Sequence, residues 1–342
     1  MRFIAMILLL LTASVPALAQ NATPAPVFSI NNAFYTLAGD EAALLEGCAT
    51  PATETVDSSI ALAPSGAQLA VITRVNSAEV FLTTCDLAAG TQSFLERPNF
   101  LTGIVTAPVY SPAGTQIAVS YIDTEGNGTI TTVDAAILGG RVWASDVTIS
   151  EGDVVNPVLW TPDSEILTFT STFDNFDSTY EEIALGYSEP RAINRQQQLS
   201  RSFTDRIIEQ FIIDGQLISL YISGAIYVTD LESGDTQIVE DTQLITDTAP
   251  LQLTFTPSTS LRGGIVREWT VVDADGNETT LAFAGTTAQI ALSPDGEQVL
   301  YVADDAVYLW ADGEAVPVPG TEITNSDAVT SVAWEPVNWM VR

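Results

Sequence analysis

Histidine and lysine are both missing from the 342 residues: the 11 basic side chains are all arginine, against 43 Asp and Glu. Without imidazole there is no Ser-His-Asp or Cys-His nucleophile system and no histidine metal site. Without lysine there is no Schiff base and no phosphate-loop ammonium. Positive charge is so scarce that the formal net charge is −32, which repels polyanions and excludes nucleic acid as a partner. Cysteine is limited to two residues. Apolar residues are not scarce: at 46% of the chain they suffice for a globular core and exclude a disordered chain.

Long apolar runs are also few. The longest, Ile4 to Leu11, is too short to span a bilayer; with Arg2 before it and Ala17-Leu18-Ala19 after it, residues 1–19 read as a secretory signal with Gln20 as the first mature residue. The competing reading is an uncleaved anchor. Removal of the signal leaves 323 residues (342 − 19), extracytoplasmic (secreted or periplasmic) and not inserted in a membrane. Residues 20–27 read as a linker and 28–342 as one domain. In an oxidising compartment Cys48 and Cys85 can pair, a bond worth on the order of 3 kcal/mol; the alternative is two separately buried thiols.

One phrase recurs: alternating apolar residues, a Pro-x-Gly turn and a second apolar run. It occurs at Ile60–Pro64–Gly66, Val109–Pro112–Gly114, Leu159–Pro162 and, degenerate, Leu253–Pro257. Its cleanest copy is Ile290-Ala-Leu-Ser-Pro294-Asp295-Gly296, and Val332–Pro336 closes the series. The gap between Pro162 and Pro257 hides a copy without proline, Phe211-Ile-Ile-Asp-Gly215-Gln-Leu-Ile218, making seven. A second phrase follows, an apolar-aromatic strand and then a Gly or Asp turn: Val80–Leu82 before Gly90, Ile226–Val228 before Gly234, Trp269–Val271 before Gly276, Val307–Leu309 before Gly313. Each unit is thus four short strands in about 40–50 residues, the size of a propeller blade.

The ends are half-units. Phe28 to Leu45 resembles a second phrase with no first, and Val329 to Val341 a first phrase with no second. Joining them would remove two open sheet edges. The expectation is an all-β, seven-bladed β-propeller closed by its N- and C-terminal segments, with six or eight blades as alternatives. The Ser/Thr-Pro-Asp-Gly phrase, clearest at Ser293 to Tyr301, resembles the repeat of TolB-type, WD-like β-propellers, over essentially the whole mature chain. That resemblance implies a fold and no single function. It also implies that the strand ending at the Pro-Asp-Gly turn lies nearest the central channel.

For chemistry, only carboxylates remain in number. The channel-side strands carry just Glu209 and Glu335, in different blades, where a hydrolase of the glycosidase type needs a facing pair. Asp273-Ala-Asp-Gly-Asn277-Glu278 resembles the front of a calcium loop, yet position 284 is Ala where a bidentate acid is needed, and the same residues suit a tight turn. Asp123–Gly128 reads the same way. Asp174, Asp177 and Glu181, with Glu182 beside them, are the better weak cation site, and calcium is the one cofactor to consider; the competing reading is a solvated loop. Arg191, Arg195, Arg201 and Arg206 fall within sixteen residues. The segment from Pro190 to Arg206 has no strand pattern and reads as a long irregular connection, either docking a partner or neutralising nearby acids.

The expected function is a non-enzymatic, monomeric scaffold that binds a protein or glycan. The alternatives are a carboxylate-dependent glycoside hydrolase or lyase and a structural module of an envelope assembly.

Overall fold

The computed structural model describes residues 25–341, apart from connecting segments between strands, the longest being 95–103. The described chain is strands throughout, save for one 3-10 turn at Glu46–Cys48. They form a β-propeller. Six sheets have four or five strands. In the simplest blade, Ile290–Leu292, Val299–Val302, Val307–Ala311 and Glu314–Pro317 follow one another outward, each antiparallel to the last. Short first strands are in contact across blades: Ala61–Leu62 with Val109–Tyr110, that with Leu159–Trp160, that with Ile207–Ile213, and Ile290–Leu292 with Thr330–Ala333.

The Pro-Asp-Gly phrase is an inner-strand turn, and its side chains explain its composition. At Ser293 the backbone N–H donates to the Gln298 carbonyl, and Gly296 N–H donates back to the Ser293 carbonyl. The Ser293 hydroxyl accepts from the N–H groups of Glu297 and Gln298 and donates to Asp295. Gly296 has φ 69°, which only glycine adopts without strain. Ser111 and Gly114 repeat the pattern in another blade.

Each blade presents both faces to neighbours, so its middle strands are apolar without interruption. In Gln68–Arg74, Leu69 and Val71 pack against the closing blade while Ala70 and Ile72 pack against the next one. The same alternation sends Val299 and Tyr301 one way and Leu300 and Val302 the other. Burial of each such Leu, Ile or Val side chain contributes about 1.5–3 kcal/mol.

Several expectations need correction. Among the described residues six complete blades form where seven were expected. Between Val154 and Ser202 the chain makes three separate two-stranded ladders: Val154–Val155 with Ser171–Thr172, Leu159–Trp160 with Leu167–Thr168, and Thr179–Ser188 with Arg191–Ser202. Pro257 is not a turn marker either. It lies within Gln252–Thr259, the second strand of its blade, opposite Arg267. Beside it lies Leu244–Thr246, whose pairing among the described residues reaches Phe255.

The closing blade is shared three to one rather than evenly. Its order is Glu41–Leu44, Ala33–Ala38, Val27–Ile30, Thr330–Ala333, the last two antiparallel with Phe28 opposite Val332. The remaining C-terminal strand, Trp339–Val341, leaves for the blade that begins at Leu244 and pairs along that strand's inner edge, Ile245 opposite Met340. It also lies against Ile207–Ile213.

Candidate functional site

The closure seam is the best-defined polar feature. Ser29 and Ser331, both fully buried, bond through their hydroxyls at 2.8 Å. Ser331 Oγ also accepts the Ile60 N–H of the next blade at 3.1 Å. One hydroxyl therefore joins the first strand, the last complete inner strand and the neighbouring blade. Nearby, Cys48 and Cys85 are disulfide-bonded, with Cα atoms 5.6 Å apart. The bond ties the connection that leaves the closing blade to the third strand of the next one, Val80–Asp86. Gly47 makes this approach possible, since a Cβ there would sit 2.5 Å from the Gly90 carbonyl oxygen. Gln92 Nε2 donates to the Ala49 carbonyl beside it, and Arg74 grips Asp57 with two hydrogen bonds of 3.0 and 2.6 Å. Sequence reasoning missed the two serines and Gly47. The signal was a small polar residue inside otherwise apolar phrases, Phe28-Ser-Ile30 and Thr330-Ser-Val332.

The inner strands define the axial surface. Counting Ala61–Leu62, Val109–Tyr110, Leu159–Trp160, Ile207–Ile213, Leu244–Thr246 with Trp339–Val341 along its inner edge, Ile290–Leu292 and Thr330–Ala333, the single carboxylate among these described strands is Glu209, which pairs with Leu220 beside a register shift. Glu335 lies outside the described residues. Trp160 Nε1 donates to the Val109 carbonyl at 3.3 Å, and Tyr110 donates to Gln68 at 2.9 Å. Burial raises the phenol pKa of Tyr110, keeping it a donor.

Asp273 closes a hairpin. One carboxylate oxygen accepts the N–H groups of Asp275 and Asn277, and the other accepts Asn277 Nδ2. The Asn277 side chain, helped by these backbone donors, lowers the Asp273 pKa. The stabilisation is therefore present above the ordinary carboxylate range and is lost as pH falls through the lowered value. At the opposite end of the aromatic series Trp269, Phe283, Tyr301 and Tyr308, whose successive ring centroids are 6.3, 5.1 and 5.3 Å apart, Tyr308 donates to the Asp305 carboxylate.

Arg191, Arg195 and Arg201 lie in one strand, Arg191–Ser202, contrary to the irregular connection expected there. It pairs with Thr179–Ser188, with Arg195 opposite Gly186 and Arg201 opposite Tyr180. The β-branched and aromatic content of Thr179–Ser188 supplied the missing strand signal, because a polar strand is stable when its partner is a good strand former. Glu181 lies in that partner, opposite Ser200. Arg206, Asp174 and Asp177 fall outside the described residues, as do Asp123 and Glu125. No helix among the described residues is long and apolar enough to cross a membrane.

No family model matches the chain, and no curated protein does. Solved structures do. The chain is similar to prolyl endopeptidases at 11% identity, TM-score 0.55, over 92% of its own length and 51% of theirs. Similarity of the same order, 11% identity and TM-score 0.54, links it to a Bacteroides uniformis protein provisionally named a 6-phosphogluconolactonase, covering 92% of this chain and 99% of that one. TolB from Acinetobacter baumannii is similar at 15% identity, with TM-score 0.48 over 92% and 67%. The chain belongs to the β-propeller fold. At these identities the likeness extends to fold alone, and the chain spans about half the length of the prolyl endopeptidases.

Proposed function

We propose that this chain is an extracytoplasmic, non-enzymatic β-propeller that binds a protein or glycan partner on a rigid ring. The observation that carries this reading is the axial surface, whose inner strands, among the described residues, hold one carboxylate between them. Hydrolysis or lysis by carboxylates needs two groups about 5–10 Å apart. The peptidase chemistry that uses Ser-His-Asp needs a histidine, and the sequence has none. In this reading the ladders between Val154 and Ser202 occupy a seventh, incomplete blade position, supported by the contacts of Leu159–Trp160 with the inner strands on both sides. The ring is exported by its N-terminal signal, and the disulfide belongs to that oxidising setting.

The test is a panel of polysaccharides and peptides incubated with the purified mature chain. Saturable binding to at least one of them without release of reducing ends or new termini is expected. Sugar release that disappears in Glu209→Gln or Glu335→Gln would establish the hydrolase or lyase instead.

A further inference from the structure

We infer that the outer edge of Arg191–Ser202 is a docking strand for an acidic, extended peptide segment of a partner protein, which adds to the sheet as a further strand. This deepens the scaffold reading and rests on it. Five of the six outermost strands in the complete blades are short, since Glu41–Leu44, Thr91–Phe94, Thr236–Val239, Glu278–Thr280 and Glu314–Pro317 have three or four residues; the sixth, Gly140–Thr148, has nine. Short edges are how sheets avoid pairing with other chains. Arg191–Ser202 has 12 residues, about 40 Å of strand at roughly 3.4 Å per residue. Among the described residues it pairs only with Thr179–Ser188, so its far edge is left without a strand.

Charge separates it from the other edges more clearly than length does. The six outer strands named above carry a net charge of zero or −1 each, while Arg191–Ser202 has three Arg and no acid. In a chain of net charge −32, this is a positive line on a negative body. Arg195 and Arg201 are six residues apart within the regular register, opposite Gly186 and Tyr180. Gln196, Gln197 and Gln198 between them add hydrogen-bonding groups and no charge. A strand edge offers alternating N–H and C=O groups at a peptide's own spacing, which a polysaccharide does not match. The occupant that fits both features is therefore a peptide strand bearing Glu or Asp at alternate positions.

The experiment titrates a labelled 12-residue peptide of alternating Glu and Val or Thr against the full mature chain, read by fluorescence polarisation. Saturable binding that weakens steeply with salt is expected. Arg195→Gln together with Arg201→Gln should weaken it by about tenfold, and Arg195→Lys with Arg201→Lys should restore part of the loss. N-methylation of alternate peptide nitrogens should also weaken it, since each methyl removes a ladder donor. Circular dichroism of each variant confirms the fold. Absence of binding at low salt overturns the inference, as does binding indifferent to the Arg pair. Equal affinity for the N-methylated peptide, with competition by polygalacturonate, would mark a general polyanion site and overturn it too. Self-association of the chain lost in the Gln pair would make a second copy the occupant, which is likewise contrary. None of these failures touches the scaffold reading, which falls only if products are released in the substrate panel.

Discussion

Ser331 shows how much a single hydroxyl can hold when it is buried where three strands meet. Replacing it with Ala leaves the Ile60 N–H without its acceptor and Ser29 without its partner. A loss of about 1–3 kcal/mol in unfolding free energy is expected, because an orphaned buried donor bears its full desolvation cost. Urea denaturation would measure it. Ser29→Ala should cost less, since Ser331 keeps the Ile60 bond, and the double variant should cost less than the two single losses added. An additive result would show that the two hydroxyls do not cooperate. At this scale the sequence was only partly legible. Ser293, Asp295 and Gly296 announced their turn because the turn is local. Ser29 and Ser331 are 302 positions apart, and nothing in either phrase names the other.

Elements were legible where they repeat. The hairpin glycines Gly66, Gly114, Gly215, Gly276 and Gly296 all take positive φ at turns marked in the sequence, since a left-handed position selects glycine whatever the fold. Pro257 misled because a proline inside a strand and a proline in a turn look alike locally. The Arg-bearing strand was missed because its stability comes from its partner. Cys48 and Cys85 join an element to the neighbouring blade across 37 positions, and loop closure of that length is worth about 4 kcal/mol. The Cys48→Ser, Cys85→Ser variant should melt well below the parent, and dithiothreitol should lower the parent to the same midpoint. A midpoint that ignores both changes would mean the bond constrains nothing.

The ring as a whole depends on strands from both ends of the chain. Deleting residues 20–47 removes three strands of the closing blade and exposes the edge of Thr330–Ala333. Calorimetry should show a lower midpoint and a broader transition, because both neighbouring interblade cores lose a wall. An unchanged, equally sharp transition would show that the remaining blades hold themselves. The closure itself was legible in the sequence from the two incomplete phrases at the ends. The three-to-one division was not, because strand assignment at a terminus depends on which neighbour completes the sheet. The departure of Trp339–Val341 to another blade also had no local mark.

The closing blade also sets a schedule. Ser29 in Val27–Ile30 leaves the ribosome 302 positions ahead of Ser331 in its inner neighbour Thr330–Ala333. The growing polypeptide must carry a sticky, half-built module through nearly all of its synthesis. A message truncated before codon 330 would yield an open horseshoe rather than a smaller ring, primed to clump through that waiting edge.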